Sequence, residues 1–142
     1  MQMAIIVGFL LTTSARPLEV DGPWTYSQGS GALARNGVVL TSGYSGWRQG
    51  KNHADMEDQP DVGPIPHGVY LIGRPHTSSR HGPHAMTLTP AEGTETYGRF
   101  GFLIHGDSIE HPGEASEGCI ILALRFRRMI ADSQEDTLVV QP

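Results

Sequence analysis

Cysteine is nearly absent: the 142 residues hold one, Cys119. A disulfide within the chain is excluded, and without its neighbours the thiol reads as a small buried hydrophobe, the commonest state of a free cysteine. Long apolar runs are also missing. The longest near the N-terminus, Ala4 to Leu11, falls well short of the roughly 20 residues that a helical membrane span needs. No Lys or Arg precedes Arg16. The basic start of a secretory signal is therefore lacking, although the short apolar run and the small residues Thr13 and Ala15 resemble the rest of one. Residues 1–23 are expected to be a leader or connector, a first strand or a weakly signal-like segment. Basic charge is scarce, with 10 Lys and Arg against 15 Asp and Glu and a net charge of −5. The only basic cluster is Arg125, Arg127 and Arg128, too small for the basic stripe of a general nucleic-acid binder.

Glycine and proline are abundant, at 18 and 10, and hydrophobic residues make up 38%. That combination disfavours a helical bundle and favours short strands joined by tight turns around one core. One domain is expected over residues 24–142. Trp24 to Gln28 suits a strand. Residues 32–40 read as a hairpin, because Asn36-Gly37 supplies the positive φ angles of a type I′ turn between apolar flanks. Residues 41–66 show no apolar period, and a loop of that length in a compact domain is commonly functional. Val69 to Ile72 predicts a buried strand, residues 74–83 a polar loop, and 85–89 and 100–105 two more strands. Leu122, Phe126, Met129 and Ile130 fall at i, i+4, i+7 and i+8, which predicts an amphipathic helix over 122–132 with its three arginines on the solvated face. Residues 137–140 would form a closing strand.

Two segments converge on chemistry. His105 ends an apolar strand and is followed by Gly106 and Asp107. Fourteen positions later Cys119 follows Ser116-Glu117-Gly118 and opens another apolar run. A strand end and the start of the next element lie side by side when a loop joins them. A cysteine nucleophile needs a thiolate, which a neighbouring imidazole supplies by taking the proton. That imidazole must itself be oriented through its other nitrogen. Amides around Cys119 could form an oxyanion hole, and the glycine before it lets a carbonyl approach the backbone.

Ile104-His105-Gly106-Asp107 with Ala115-Ser116-Glu117-Gly118-Cys119-Ile120 resembles the active-site signature of the L,D-transpeptidases, bacterial cell-wall enzymes of mostly β fold. It is most similar to the compact branch found among type VI secretion effector toxins. Gly43-Tyr44-Ser45-Gly46 and Gly63-Pro64-Ile65-Pro66-His67-Gly68-Val69-Tyr70 match that branch as well. The chain departs from the wider family at Glu117, often His, at Ile121, often Arg, and in a shorter His-to-Cys loop. The resemblance implies a mainly β fold, an L,D-transpeptidase-like sandwich or barrel with one short C-terminal helix. It implies that Cys119 attacks the bond to the terminal D-alanine of a peptidoglycan tetrapeptide stem, with His105 as base and then acid. The Gly106 carbonyl would fix the imidazole tautomer, and the Gly118 and Cys119 amides would hold the oxyanion. Water as acceptor gives L,D-carboxypeptidase activity; a D-amino acid or second stem gives exchange or transpeptidation. The mechanism needs no cofactor. The expected partners are stem peptides and a cognate immunity protein that plugs the groove, and the expected compartment is the target cell's periplasm.

Around this site, Asp107 is expected to orient it or cap a turn, Ser116 to brace the loop, and Tyr44 to line the groove or simply pack. Trp47, Arg48, Lys51 and Asn52 could meet the anionic stem or form a solvated loop. His76, His81 and His84 raise a second reading, a zinc-dependent cell-wall peptidase, although no helical His-Glu-x-x-His pattern accompanies them. A third reading is a β domain that binds cell wall or a partner without catalysis.

Overall fold

The structure, a computed structural model, describes residues 21–142. The strand or signal-like reading of the N-terminal run lies outside those residues. Ten strands build the domain: β1 (Trp24–Ser27), β2 (Ala32–Arg35), β3 (Val38–Ser42), β4 (Tyr44–Ser45), β5 (Gly68–Ile72), β6 (His76–Ser78), β7 (Gly82–Pro90), β8 (Leu103–His105), β9 (Ile120–Ile121) and β10 (Thr137–Gln141). Among the described residues one α-helix, α1 (Leu124–Ser133), precedes the last strand. No helix among the described residues is long and apolar enough to cross a membrane.

The strand order is β3-β2-β1-β10-β5-β7-β8-β9-β4, with β6 pairing β7 off this path. The two ends of that order, β3 and β4, are separated in sequence by Gly43 alone. The sheet therefore comes round almost upon itself, as a nearly closed barrel. Gly43 is the residue that permits this: its N–H reaches Gly31 O at 2.8 Å, and a Cβ there would lie 1.8 Å from Ile121 O. The fold is mainly β, and the domain's core is one cluster built on Trp24, Tyr26, Leu33, Tyr70, Met86, Ile104, Ile120, Ile130 and Leu138.

Local chemistry explains most elements. Asn36 and Gly37 take φ of 54° and 79°, the left-handed pair that a two-residue turn between twisted strands requires. The final strand is central rather than marginal: β10 pairs parallel with β1 and antiparallel with β5. Three expectations are corrected. β5 is not buried throughout, because Val69 and Leu71 are exposed while Tyr70 and Ile72 face the core, the alternation of a one-sided strand. Residues 74–83 are not a plain loop, since β6 and the start of β7 pair as an antiparallel hairpin. Helix α1 buries Arg127 and Ile130 rather than Met129, which is exposed, so one of the three arginines leaves the solvated face.

Candidate functional site

Strands β8 and β9 run parallel, with Ile104 opposite Ile120 and His105 opposite Ile121. Cys119 lies in the bend immediately before β9, where a backbone hydrogen bond from Leu103 reaches its thiol. The pairing of β8 and β9 thus brings His105, at the end of one strand, near Cys119, at the entry to the other. Both line one open cavity of about 1170 Å³. Its walls come from the β6–β7 hairpin, the loop 97–102, the loop 106–118 and the edge of α1.

His105 is buried. Its Nδ1 lies 2.8 Å from Gly106 O. A carbonyl only accepts, so Nδ1 carries the proton and the neutral ring keeps its lone pair on Nε2. That Nε2 is buried and has no hydrogen-bond partner among the described residues. Burial pushes the imidazole down to about 4; the Gly106 carbonyl and Asp107 oppose this, while His81 and Arg127 add to it. The Cys119 thiol is half-buried, and its Sγ lies 3.7 Å from Gly101 O. Burial pushes the thiol up, against a backbone hydrogen bond from Leu103. The resting pair is therefore a neutral thiol and a neutral imidazole at neutral pH.

The Cys119 loop is held from below. Ser116 is buried. Its Oγ accepts from Gly46 N–H at 2.9 Å and Gly118 N–H at 3.1 Å, and donates to Cys119 O at 2.6 Å. Ser45 Oγ donates to Gly118 O at 3.1 Å and accepts from Ile65 N–H at 2.9 Å. Arg99, itself buried, donates to the carbonyls of Glu57, Gly63, Pro64 and Glu117. Gly118 has φ of +139°, and a Cβ would sit 2.5 Å from Arg99 Nη2. Glycine is what lets the guanidinium press against this turn.

Tyr44 and Asp107 form the opposite wall of the loop 106–118. The Tyr44 hydroxyl donates to Asp107 Oδ1 at 2.6 Å and accepts from Ala115 N–H at 2.9 Å. The Asp107 carboxylate also accepts from the Ser108 and Gly113 amides. Burial alone would raise its pKa; these donors and Lys51 hold it below the usual carboxylate value. Asp107 thus ties the turn and gives His105 no hydrogen bond. Tyr44 does not line the cavity, and neither do Trp47, Arg48, Lys51 and Asn52. Arg48 lies over the Trp47 ring, Lys51 over the Tyr44 ring, and Asn52 Oδ1 accepts from Ser45 N–H at 3.1 Å.

Of the three histidines raised as metal ligands, His81 comes to the site alone. Its ring lies 4.2 Å from that of His105, tilted by 39°. Among the described residues no three His, Cys, Asp or Glu side chains are grouped to hold a metal. Arg99 and Arg127 are site residues that the sequence did not single out, and His81 was raised only as a metal ligand. For Arg127 a signal existed, since it lies three residues before the buried Ile130 and so shares its face of the helix. For Arg99, and for the place of His81 beside His105, there was none, because sequence spacing does not tell which loop folds over which strand.

Fold and site together define a small β-barrel domain whose lone cysteine and a tautomer-fixed histidine open into one cleft. Residues 40–141 match the Tlde1 domain. The chain belongs to that family, the L,D-transpeptidase effectors of type VI secretion. Among solved structures it is similar to the helical cell shape determining protein Pgp2 from Campylobacter jejuni. There the identity is 17% and the TM-score 0.53, over 83% of this chain and 46% of that one. The K307A mutant of the same protein gives 18% and 0.51, over 83% and 45%. The chain thus spans less than half the length of these structures. Mycobacterium tuberculosis L,D-transpeptidase 1 gives 17% identity and a TM-score of 0.47, over 84% of this chain and 60% of that one. No curated protein matches the chain.

Proposed function

We propose that this domain removes or exchanges the terminal D-alanine of peptidoglycan tetrapeptide stems through a Cys119 acyl-enzyme. The observation that carries the reading is the fixed His105 tautomer. His105 lines the cleft that also takes in Cys119, and its buried Nε2, unpartnered among the described residues, keeps the lone pair that can accept the thiol proton. Because both groups rest neutral, His105 takes the thiol proton as Sγ attacks, rather than holding a preformed ion pair. The Sγ–carbon bond forms and the carbon–nitrogen bond breaks. The departing amine receives the proton from the His105 imidazolium. Water, or the amine of an acceptor, then attacks the thioester while His105 takes its proton, and the sulfur leaves as thiol. The Gly118 amide is committed to Ser116 Oγ, so the Cys119 amide is the one assigned to the oxyanion.

The family supports secretion as an effector and action on the cell wall in a target periplasm. On this reading a producing cell needs a protein that covers the cleft. The test is mass spectrometry of tetrapeptide muropeptides incubated with the protein, with Cys119→Ala, with His105→Ala and with a chelator. Loss of D-alanine that vanishes in Cys119→Ala, falls roughly 10²–10⁴-fold in His105→Ala and ignores the chelator is expected. Dimeric or exchanged products would add transfer to hydrolysis. Full activity in Cys119→Ala would overturn the reading.

A further inference from the structure

Arg127 is a buried cation without a counter-ion. It is 6% exposed and forms no ion pair among the described residues. Three of its donor bonds go to backbone carbonyls: Nε to Leu122 O at 3.0 Å, and Nη1 to Pro83 O at 2.6 Å and His84 O at 3.2 Å. Nη2 has no partner among the described residues, and the side chain lines the cleft. A cation this desolvated is costly unless something compensates it. Carbonyls alone bring no negative charge.

The position of Nη2 is specific. It lies against Gly106, where a Cβ would come within 2.7 Å of it. Cys119, His105, Gly106 and Arg127 line the same cleft, and the guanidinium lies against the residue that directly follows His105. In the reaction proposed above the scissile carbonyl sits at Cys119 and the leaving amine at His105. An α-carboxylate on the leaving residue is two bonds past that amine, which puts it within reach of a cation beside His105.

We propose that Arg127 is the carboxylate-recognising residue of this cleft. Its free Nη2 edge receives the α-carboxylate of the C-terminal residue to be removed. It also receives that of a free amino acid entering as acceptor. The inference rests on the cysteine reading for the placement of substrate. It gives the site a preference for chain ends: a stem whose C-terminus is a free acid binds, and one whose C-terminus is blocked is refused. Gly106 serves both functions, its carbonyl holding His105 and its missing side chain admitting the guanidinium. The resident backbone partners fix the Arg127 fork before substrate arrives, so little rotamer entropy is lost on binding.

The experiment separates binding from chemistry. Cys119→Ala protein is titrated calorimetrically with a tetrapeptide ending in D-alanine and with the same peptide ending in D-alaninamide. A charge-assisted pair is worth roughly 10- to 100-fold in affinity, so the acid is expected to bind at least about tenfold tighter. That preference is expected to vanish in the Cys119→Ala, Arg127→Gln double variant and to survive Arg80→Ala, which alters an exposed arginine on the same rim. Equal binding of acid and amide by protein with Arg127 intact overturns the inference, and that comparison needs no variant of Arg127 to fold. A preference that persists without Arg127 overturns it too. Cleavage of both peptides at equal rates by the unaltered protein would sink the Arg127 role and leave the cysteine mechanism standing. Preferred binding of the acid without any cleavage would do the reverse.

Discussion

At the scale of single residues, two strained or desolvated positions bear on the proposed chemistry. Gly118 adopts a φ that side chains avoid and presses on Arg99. Gly118→Ala is expected to destabilise the fold by about 1–3 kcal/mol and to lower turnover further by displacing Cys119; urea unfolding measured beside kcat separates the two effects. His105 is held neutral by burial, with His81 and Arg127 adding to that effect and Asp107 opposing it. On the proposed mechanism its pKa of about 4 predicts activity that persists into mildly acidic conditions and falls only as pH drops through about 4. Replacing His81 by Ala removes a stacked ring and one repulsive neighbour, so the acid limb of kcat/KM is expected to move to higher pH. An unmoved limb would mean that His81 only packs.

At the scale of elements, the site is a junction of loops that no single motif describes. Ser116 ties two of them, bonding Gly118 and Cys119 in its own loop and Gly46 in the long loop. Ser116→Ala leaves two buried amides without an acceptor and is expected to cost roughly 1–3 kcal/mol each way the loss is felt; the melting temperature of the apo protein reads it directly. Ser116→Thr, which keeps the oxygen, should recover part of the loss. The hairpin β2–β3, the strands β1, β7 and β10 and the helix were legible because each carries a local signal: Asn36-Gly37, an alternating apolar run, a helical stripe. The β6–β7 hairpin was not legible. Its residues 76–82 are polar and its strand β6 lies at an edge, so no apolar period marks it. Arg127 was misread for a related reason. The helix was judged by its strongest apolar stripe, whereas its buried face also covers the hairpin's carbonyls, which call for a donor. His105, Gly106 and Cys119 were read from order and resemblance, and the parallel pairing of β8 and β9 supplies the geometry that order alone lacks.

At the scale of the whole molecule, Glu57 ties the long loop to the barrel. Its carboxylate accepts from the His67 amide at 2.9 Å, from Gln28 Nε2 at 2.9 Å and from the Tyr97 hydroxyl at 3.0 Å, and it meets His67 Nδ1 at 2.9 Å. Burial alone would raise its pKa; these donors bring it down from 4.5 to about 2. A carboxylate with a depressed folded pKa contributes stability that is complete above 4.5 and is lost as pH falls towards 2. The buried His105 works in a higher window. Its folded pKa of about 4 lies below the ordinary 6.5, so the unfolded chain takes up its proton first and stability falls between pH 6.5 and 4. Acid should therefore weaken the barrel in two stages. Chemical unfolding at closely spaced pH values from 7 to 2 is expected to show both slopes. Glu57→Gln should flatten the lower stage alone, and His105→Ala the upper alone. If both variants flatten the same window, the two groups titrate as one network. The long loop and the active cleft would then be a single cooperative unit rather than a scaffold with a site resting on it.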